Sequence, residues 1–284
     1  MRYRHRYHAG NFADVHKHVT LLALIGALQR KDKGFFYLDT HAGRGMYELG
    51  GAATQPGAEA HTGIGALHGQ DAHGPVITAY LATLERARSD AGRAAAYAGS
   101  PILAALSLRP QDRGLCCEIL PSEFRALEKS LAPYGRMRCE CIDGYQALRA
   151  QLPPKERRAL VLIDPAYEEQ TDDLGEAITA VGGALSRLAN AVVAVWYPIK
   201  TDRELAPWLS HASGQLAAPA LAAELWLHPR DARVGLNGSG LLIVNPPYQL
   251  DLEMQQWLPE LGAALGTGRQ GGVSVRWISH EQPH

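Results

Sequence analysis

The chain has 284 residues and 46% hydrophobic side chains, which suits one large α/β domain with a sizeable core. No apolar run reaches the ~18–20 residues of a membrane span, and no apolar segment follows the basic start MRYRHRYHAGN. We therefore expect neither a membrane anchor nor a signal peptide. The cysteines form two pairs, Cys116-Cys117 and Cys139-x-Cys141, without the C-x-x-C spacing of zinc sites. We interpret all four as buried free thiols, as expected in a reducing cytoplasm.

The formal net charge of −1 gives no sign of a nucleic-acid partner, but the charge is unevenly distributed. Residues 1–33 contain seven Lys or Arg, two Asp and four of the twelve histidines. A basic segment that carries aromatic residues is typical of a phosphate-binding patch. A solvated terminal arm explains the same charge equally well.

Helices and strands are predicted to alternate along the chain. Apolar residues at helical spacing predict a helix over 14–29, and the dense run at 35–38 predicts a buried strand ending in a glycine-rich turn. Residues 46–98 show no strand and are interpreted as a helical insertion, after which Ser100 is expected to cap a helix. Further strands are predicted at 115–119, 137–142, 159–164, 190–198, 221–227, 240–247 and 272–278, and further helices at 122–131, 145–152 and 175–188.

This alternation predicts an α/β fold with a doubly wound, mostly parallel sheet. We divide the chain into three parts. Residues 1–45 hold the basic tail, a helix and the first strand, residues 46–98 form the inserted helical subdomain, and residues 99–284 complete the sheet.

Carboxylates stand at the ends of the first four main strands, in the order Asp39, Glu118, Asp143 and Asp164. A dinucleotide site would need G-x-G-x-x-G after the first strand, and the turn here reads His-Ala-Gly-Arg-Gly over 41–45. S-adenosylmethionine needs instead a glycine turn, an acid after the second strand for the ribose, and an acid or amide after the third for the adenine. Glu118 and Asp143 occupy those two positions.

The tetrapeptide Asp164-Pro165-Ala166-Tyr167 ends the strand that is predicted to lie beside the first. The Asp164 carboxylate and the Pro165 carbonyl can accept both hydrogens of an exocyclic amine, which frees its lone pair for in-line attack on a methyl group. Asp164 can also take the departing proton. The ring of Tyr167 can stack on a base, an interaction worth ~1–3 kcal/mol. The usual form of this tetrapeptide is Asp-Pro-Pro-Tyr, and here Ala166 stands in place of the second proline. The proline supplies no acceptor of its own, so its loss should only loosen the turn.

A second tetrapeptide, Asn245-Pro246-Pro247-Tyr248, matches the amine-methylating pattern better by its letters. It ends the sixth or seventh strand, which in this sheet class is remote from the first strand or antiparallel to it. We therefore predict that its prolines only end a strand.

Several segments together resemble the bacterial 23S ribosomal RNA adenine-N6 methyltransferases of the RlmJ type, over essentially the whole chain. They are HAGNFADVHKH (8–18), LDTHAG (38–43), YAGSP (97–101), IDPAY (163–167), VWYP (195–198) and VNPPY (244–248). The resemblance implies a Rossmann-like class I methyltransferase fold, S-adenosylmethionine as methyl donor, and no metal. It also implies a cytoplasmic monomer that methylates N6 of one adenosine in 23S rRNA, as naked or early-assembly RNA.

The same resemblance assigns roles to individual residues. Asp164 is the expected catalytic acceptor, and the N-terminal tail is a lid over cofactor and substrate. Tyr3, His5 and Lys17 are expected to hold a flipped adenosine or its phosphates. The residues expected to line the cofactor site are His18, His41, Ser100, Glu118, Asp143, Gly144 and Asp164.

Other functions remain open from the residues alone. A guanine-N2 or DNA adenine-N6 methyltransferase would present an amine to the same two acceptors. A non-catalytic RNA-binding protein of the same fold is a further alternative. A nucleotide-dependent oxidoreductase is disfavoured by the missing glycine triplet, and a cytosine-C5 enzyme by the absence of a nucleophilic cysteine from the 164–167 turn.

Overall fold

A computed structural model describes residues 9–49, 57–70, 72–167, 170–200, 202–268 and 270–279. The helices are α1 (Phe12–Gln29), α2 (Gly57–Thr62), α3 (Ile64–His68), α4 (Pro75–Ala91), α5 (Ser100–Ser107), α6 (Pro121–Leu131), α7 (Gly144–Gln151), α8 (Gln170–Arg187), α9 (Asp202–Gln215) and α10 (Leu250–Ala264). The strands are β1 (Phe36–Asp39), β2 (Met46–Glu48), β3 (Ala96–Ala98), β4 (Arg113–Cys117), β5 (Met137–Glu140), β6 (Ala159–Ile163), β7 (Val192–Ile199), β8 (Ala220–Trp226), β9 (Gly238–Val244) and β10 (Gly272–Ser279). No helix in these ranges is long and apolar enough to span a membrane.

Eight strands form one sheet in the order β10-β8-β9-β7-β6-β1-β4-β5. The five strands from β7 to β5 are mutually parallel, and β9 runs antiparallel to both of its neighbours. Strand β1 lies between β4 and β6, so the sheet is wound outwards from it in both directions. This order confirms the predicted Rossmann-like class I methyltransferase fold.

Helices cover both faces of the sheet. One core contains buried side chains of α1, α4, α5 and α10, and the other contains those of α7, α8 and α9. Helix α1 is buried along most of its length, and its N-cap Asn11 accepts a hydrogen bond from the backbone N–H of Asp14 at 2.9 Å. The side chains of α1 therefore meet the sheet as part of the core.

Several local predictions were wrong. The 46–98 segment begins and ends with β2 and β3, which pair antiparallel but are only three residues long. Helices α9 and α10 were missed, and each contains an internal proline, Pro207 or Pro259. Gly99 is the N-cap of α5, while Ser100 is its first helical residue. Cys141 is exposed and Cys139 partly so, leaving only the other two thiols buried.

Candidate active site

The carboxyl ends of β1, β4, β5 and β6 open on one edge of the sheet, because these strands are parallel. Asp39 is the last residue of β1 and pairs in register with Leu162 of β6. Glu118 follows β4, and Asp164 follows β6. The strand ends therefore bring the predicted carboxylates to a single edge.

The backbone holds the two acids that were predicted to bind the ribose and the adenine. The Glu118 carboxylate accepts a hydrogen bond from the N–H of Leu120 at 2.7 Å, and burial raises the pKa of Glu118. Asp143 is the N-cap of α7 and accepts from the N–H of Gln146 at 2.8 Å. Both acids are thus fixed in position at the strand ends.

Gly144 allows the β5–α7 turn to approach the end of β1. A Cβ atom at this position would lie 2.0 Å from the carbonyl oxygen of Thr40. This packing keeps His41 close to α7, where its ring meets the edge of Tyr145 with 5.3 Å between centroids. Burial lowers the pKa of His41, although nearby carboxylates raise it.

His18 and Ser100 lie behind this edge in the interior. Nδ1 of His18 is 2.7 Å from the hydroxyl of Tyr97. The Ser100 hydroxyl hydrogen-bonds to Asp39, whose carboxylate also accepts from the Tyr37 hydroxyl at 3.0 Å. Burial raises the pKa of Asp39 to about 6, against the effect of these hydrogen bonds. The side chains of His18 and Ser100 are therefore each part of a buried group of hydrogen-bonded side chains.

Lys17 contacts Asp164 directly. Its ammonium lies 2.5 Å from Oδ2 of Asp164 and 2.8 Å from Oδ1 of Asp14. The Lys17 side chain is only 5% exposed, whereas a lysine free to meet RNA phosphates would lie open to solvent. In this structure Lys17 is a neighbour of the predicted acceptor, and its proposed contact with substrate stays a prediction.

The turn after β6 is built from Pro165, Ala166 and Tyr167. Pro165 is buried, Ala166 is exposed, and Tyr167 adopts a left-handed φ of 46°. The Tyr167 side chain is 7% exposed, its hydroxyl donates to the backbone carbonyl of Trp196, and the two rings lie 5.6 Å apart. Stacking of Tyr167 on a base stays a prediction, and the ring is packed in the core here.

Tyr3 and His5 lie outside the described residues, and their predicted substrate role stays a prediction. Two residues beside the site, Ile119 and Trp196, were missed by sequence reasoning. Ile119 carried a signal, because it is an apolar residue directly after Glu118, and it is 59% exposed. Nothing in the sequence around Trp196 indicated that it lies near Asp164. Asp39 was recognised as a carboxylate at a strand end, but no role was assigned to it.

The second tetrapeptide lies at the opposite edge of the sheet. Asn245 follows β9, and its side-chain amide donates to the carbonyls of Ala189 and Ala191 at 2.8 and 2.9 Å. Those carbonyls precede β7, and the N–H of Asn245 donates to Pro219 just before β8. The antiparallel course of β9 thus turns this motif away from the carboxylate edge, as predicted.

The edge suits a cofactor such as S-adenosylmethionine, which carries positive charge and an adenine ring. Asp39, Glu118 and Asp164 supply negative charge, and Ile119 supplies an exposed apolar surface beside the predicted ribose acid. The hydroxyl of Tyr145 is buried without a hydrogen-bond partner among the described residues, as expected if a ligand completes the site. Within the same described ranges, no cluster of three or more His, Cys, Asp or Glu is arranged to hold a metal.

Comparisons with known proteins agree with this architecture. Residues 32–279 match a family model described as RsmJ, ribosomal RNA large subunit methyltransferase D, RlmJ. Proteins named ribosomal RNA large subunit methyltransferase J from Haemophilus influenzae and Escherichia coli are each 36% identical over 99% of this chain and 100% of theirs. A crystal structure of a Legionella pneumophila protein superposes with a TM-score of 0.84 at 33% identity, covering 95% of this chain and 98% of that one. The chain belongs to the RsmJ/RlmJ family.

Proposed function

We propose that this protein transfers a methyl group from S-adenosylmethionine to the exocyclic N6 of one adenosine in 23S rRNA. Its family membership supports methyl transfer to ribosomal RNA of the large subunit. The position of Asp164 at the carboxyl end of β6, beside β1, is the single observation that carries the finer assignment. Action in the cytoplasm, as a monomer on naked or early-assembly RNA, is part of the same proposal.

The acceptor chemistry follows from the surroundings of Asp164. The Lys17 ammonium donates a hydrogen bond to Oδ2 of Asp164, and no described residue donates one to Oδ1 of Asp164. Oδ1 can therefore accept one hydrogen of an incoming amine, while the carbonyl of Pro165 accepts the other. The lone pair of an amine held by two acceptors is less delocalised into the ring and can attack in line.

The cofactor, when bound, supplies the methyl group on a positively charged sulfur. Glu118 and Asp143 would hold its ribose and adenine, and the 41–45 turn would hold its amino-acid end. Asp164 can take the proton that the amine loses after transfer. The Lys17 ammonium fixes the orientation of this carboxylate from the protein side, because its nitrogen is itself held by Asp14.

The proposal is tested by the identity of the product. The protein is incubated with tritium-labelled S-adenosylmethionine and 23S rRNA transcribed in vitro, and the RNA is digested to nucleosides. We expect the label in N6-methyladenosine. Label in N2-methylguanosine, or label only in a DNA substrate, would favour the rival methyltransferases. If calorimetry detects no binding of S-adenosylmethionine at high micromolar concentration, and no label is transferred, the result would favour a non-catalytic RNA-binding protein.

A further inference from the structure

We propose that Trp196 provides the aromatic face against which the target base rests, in place of Tyr167 of the tetrapeptide. This inference depends on the proposed function, since it assigns the wall of the pocket that receives the purine. Trp196 belongs to the VWYP segment at 195–198, for which the sequence suggested no role.

Trp196 lies next to Asp164 across two neighbouring parallel strands. Ile163 of β6 pairs in register with Val195 of β7, so the residues that follow them stand at the same level. Side chains alternate along a strand, and Leu162 and Ala194 pack in the core that contains α1. Asp164 and Trp196 therefore point to the same face of the sheet, at its carboxyl edge.

The contacts of Lys17 confirm this juxtaposition. Its ammonium lies 2.5 Å from Oδ2 of Asp164 and 5.8 Å from the ring centroid of Trp196. The indole ring thus borders the same space as the carboxylate that is proposed to grip the amine. A base whose amino group reached Asp164 would have its ring system within reach of the indole.

Both the ring and the backbone of Trp196 are held by hydrogen bonds. The indole Nε1–H donates to the hydroxyl of Ser239 at 2.9 Å, and the Trp196 backbone carbonyl accepts from the Tyr167 hydroxyl. Ser239 is itself fully buried, 3.0 Å from Nδ1 of His16. Burial lowers the pKa of His16 to about 3, so a neutral imidazole can accept the Ser239 hydroxyl hydrogen while the Ser239 oxygen accepts from the indole.

Tyr167 is arranged differently. Its side chain is 7% exposed, and its hydroxyl is engaged by Trp196. Trp196 is only partly buried. Tyr167 is therefore a positioning residue for the Trp196 backbone, and the partly exposed indole is the surface that we assign to the base.

Steady-state methylation of in vitro transcribed 23S rRNA tests the assignment with two variants. Trp196→Leu removes the aromatic face and should lower kcat/KM for RNA by about 10- to 100-fold, while the Kd for S-adenosylmethionine changes less than twofold. Trp196→Phe keeps an aromatic face and should retain most of kcat/KM. Unchanged kcat/KM in a folded Trp196→Leu, or equal losses in both variants, would overturn the proposal.

Fluorescence provides a measurement that does not depend on the folding of Trp196→Leu. Adenosine 5′-monophosphate is titrated into cofactor-saturated wild type, Trp196→Phe and Trp277→Phe, the last altering a tryptophan of β10 at the far end of the sheet. Quenching is expected in wild type and Trp277→Phe and should be lost in Trp196→Phe. No quenching in wild type, or equal quenching in all three proteins, would overturn the proposal.

The two proposals fail in different ways. If wild type methylates adenosine in rRNA while both measurements leave Trp196 without effect, only the base-stacking assignment is wrong. If wild type labels no N6-methyladenosine, the proposed function is wrong whatever the tryptophan variants show.

Discussion

The ammonium of Lys17 joins Asp14 on α1 to Asp164 at the end of β6, at distances of 2.8 and 2.5 Å. Burial lowers the pKa of Lys17, but the two carboxylates outweigh burial and raise it above its ordinary value. The lysine therefore stays charged at any physiological pH. This charged bridge connects the first helix to the proposed acceptor.

Replacing Lys17 by Met should strongly destabilise the fold. The substitution keeps the length of the side chain but leaves the buried carboxylate of Asp14 and the partly buried carboxylate of Asp164 without their cation. Breaking a buried ion pair in this way typically costs about 3–5 kcal/mol. Unfolding in urea measures the loss. Adding Asp14→Asn removes one of the two charges and should recover part of the stability, so additive losses in the double variant would contradict the bridge.

Replacing Gly144 by Ala should impair cofactor binding. The added methyl would lie 2.0 Å from the backbone oxygen of Thr40, so the β1 end and the α7 turn must separate. We expect at least a tenfold weaker Kd for S-adenosylmethionine by calorimetry. Gly135→Ala is the matched control, because a Cβ there meets nothing within 4 Å. Equal affinities of the two variants would remove this role from Gly144.

The buried His16 should make the protein sensitive to acid. Its pKa is lowered to about 3, so between pH 6.5 and pH 3 the unfolded chain binds a proton that the native protein does not. Stability from this group is present above pH 6.5 and is lost as the pH falls, by about 1.4 kcal/mol per pH unit.

His16→Gln and His16→Phe, which differ in packing but do not titrate, test this expectation. Both should show a shallower dependence of the unfolding free energy on pH between 6 and 4 than wild type does. Urea denaturation across this range measures the slopes. A wild-type slope in either variant would show that His16 is protonated in the native state.

Asn245 should contribute to stability. Asn245→Ala removes two hydrogen bonds to Ala189 and Ala191 and places alanine at a φ of 51°, which together should cost about 1–3 kcal/mol. Asn245→Gly removes the same bonds but tolerates this backbone conformation, so its loss should be smaller. Thermal unfolding distinguishes the two variants, and a fully stable Asn245→Ala would exclude the structural role.

The sequence was enough to predict the carboxylate edge, because that edge depends only on which residues follow each strand along the chain. Glu118, Asp143 and Asp164 each follow a recognisable strand, and parallel strands end on one side of a sheet. The adjacency of β6 to β1 followed from the sheet class. The distant position of Asn245 followed in the same way, although its partners Ala189 and Ala191 are more than fifty residues away and could not be named.

Contacts between distant segments could not be predicted. Lys17 meets Asp164 across 147 residues, a contact that depends on how α1 packs on the sheet. Trp196 meets Ser239 across 43 residues, a contact that depends on the antiparallel pairing of β7 with β9. The burial of Tyr167 depends on its left-handed φ, which the letters Asp-Pro-Ala-Tyr do not specify. Strands β2 and β3 were invisible because three residues show no periodicity and their pairing closes a long insertion.

The central claim, that the end of β6 carries the chemistry, is tested most directly by comparing Asp164→Ala with Asn245→Ala. Methyl transfer to unmodified 23S rRNA is measured for both and normalised to the folded fraction of each protein. We expect Asp164→Ala, which removes the acceptor oxygens, to lose at least about 10²-fold in rate, and Asn245→Ala to keep most of its activity. An active Asp164→Ala with an inactive, folded Asn245→Ala would contradict the account.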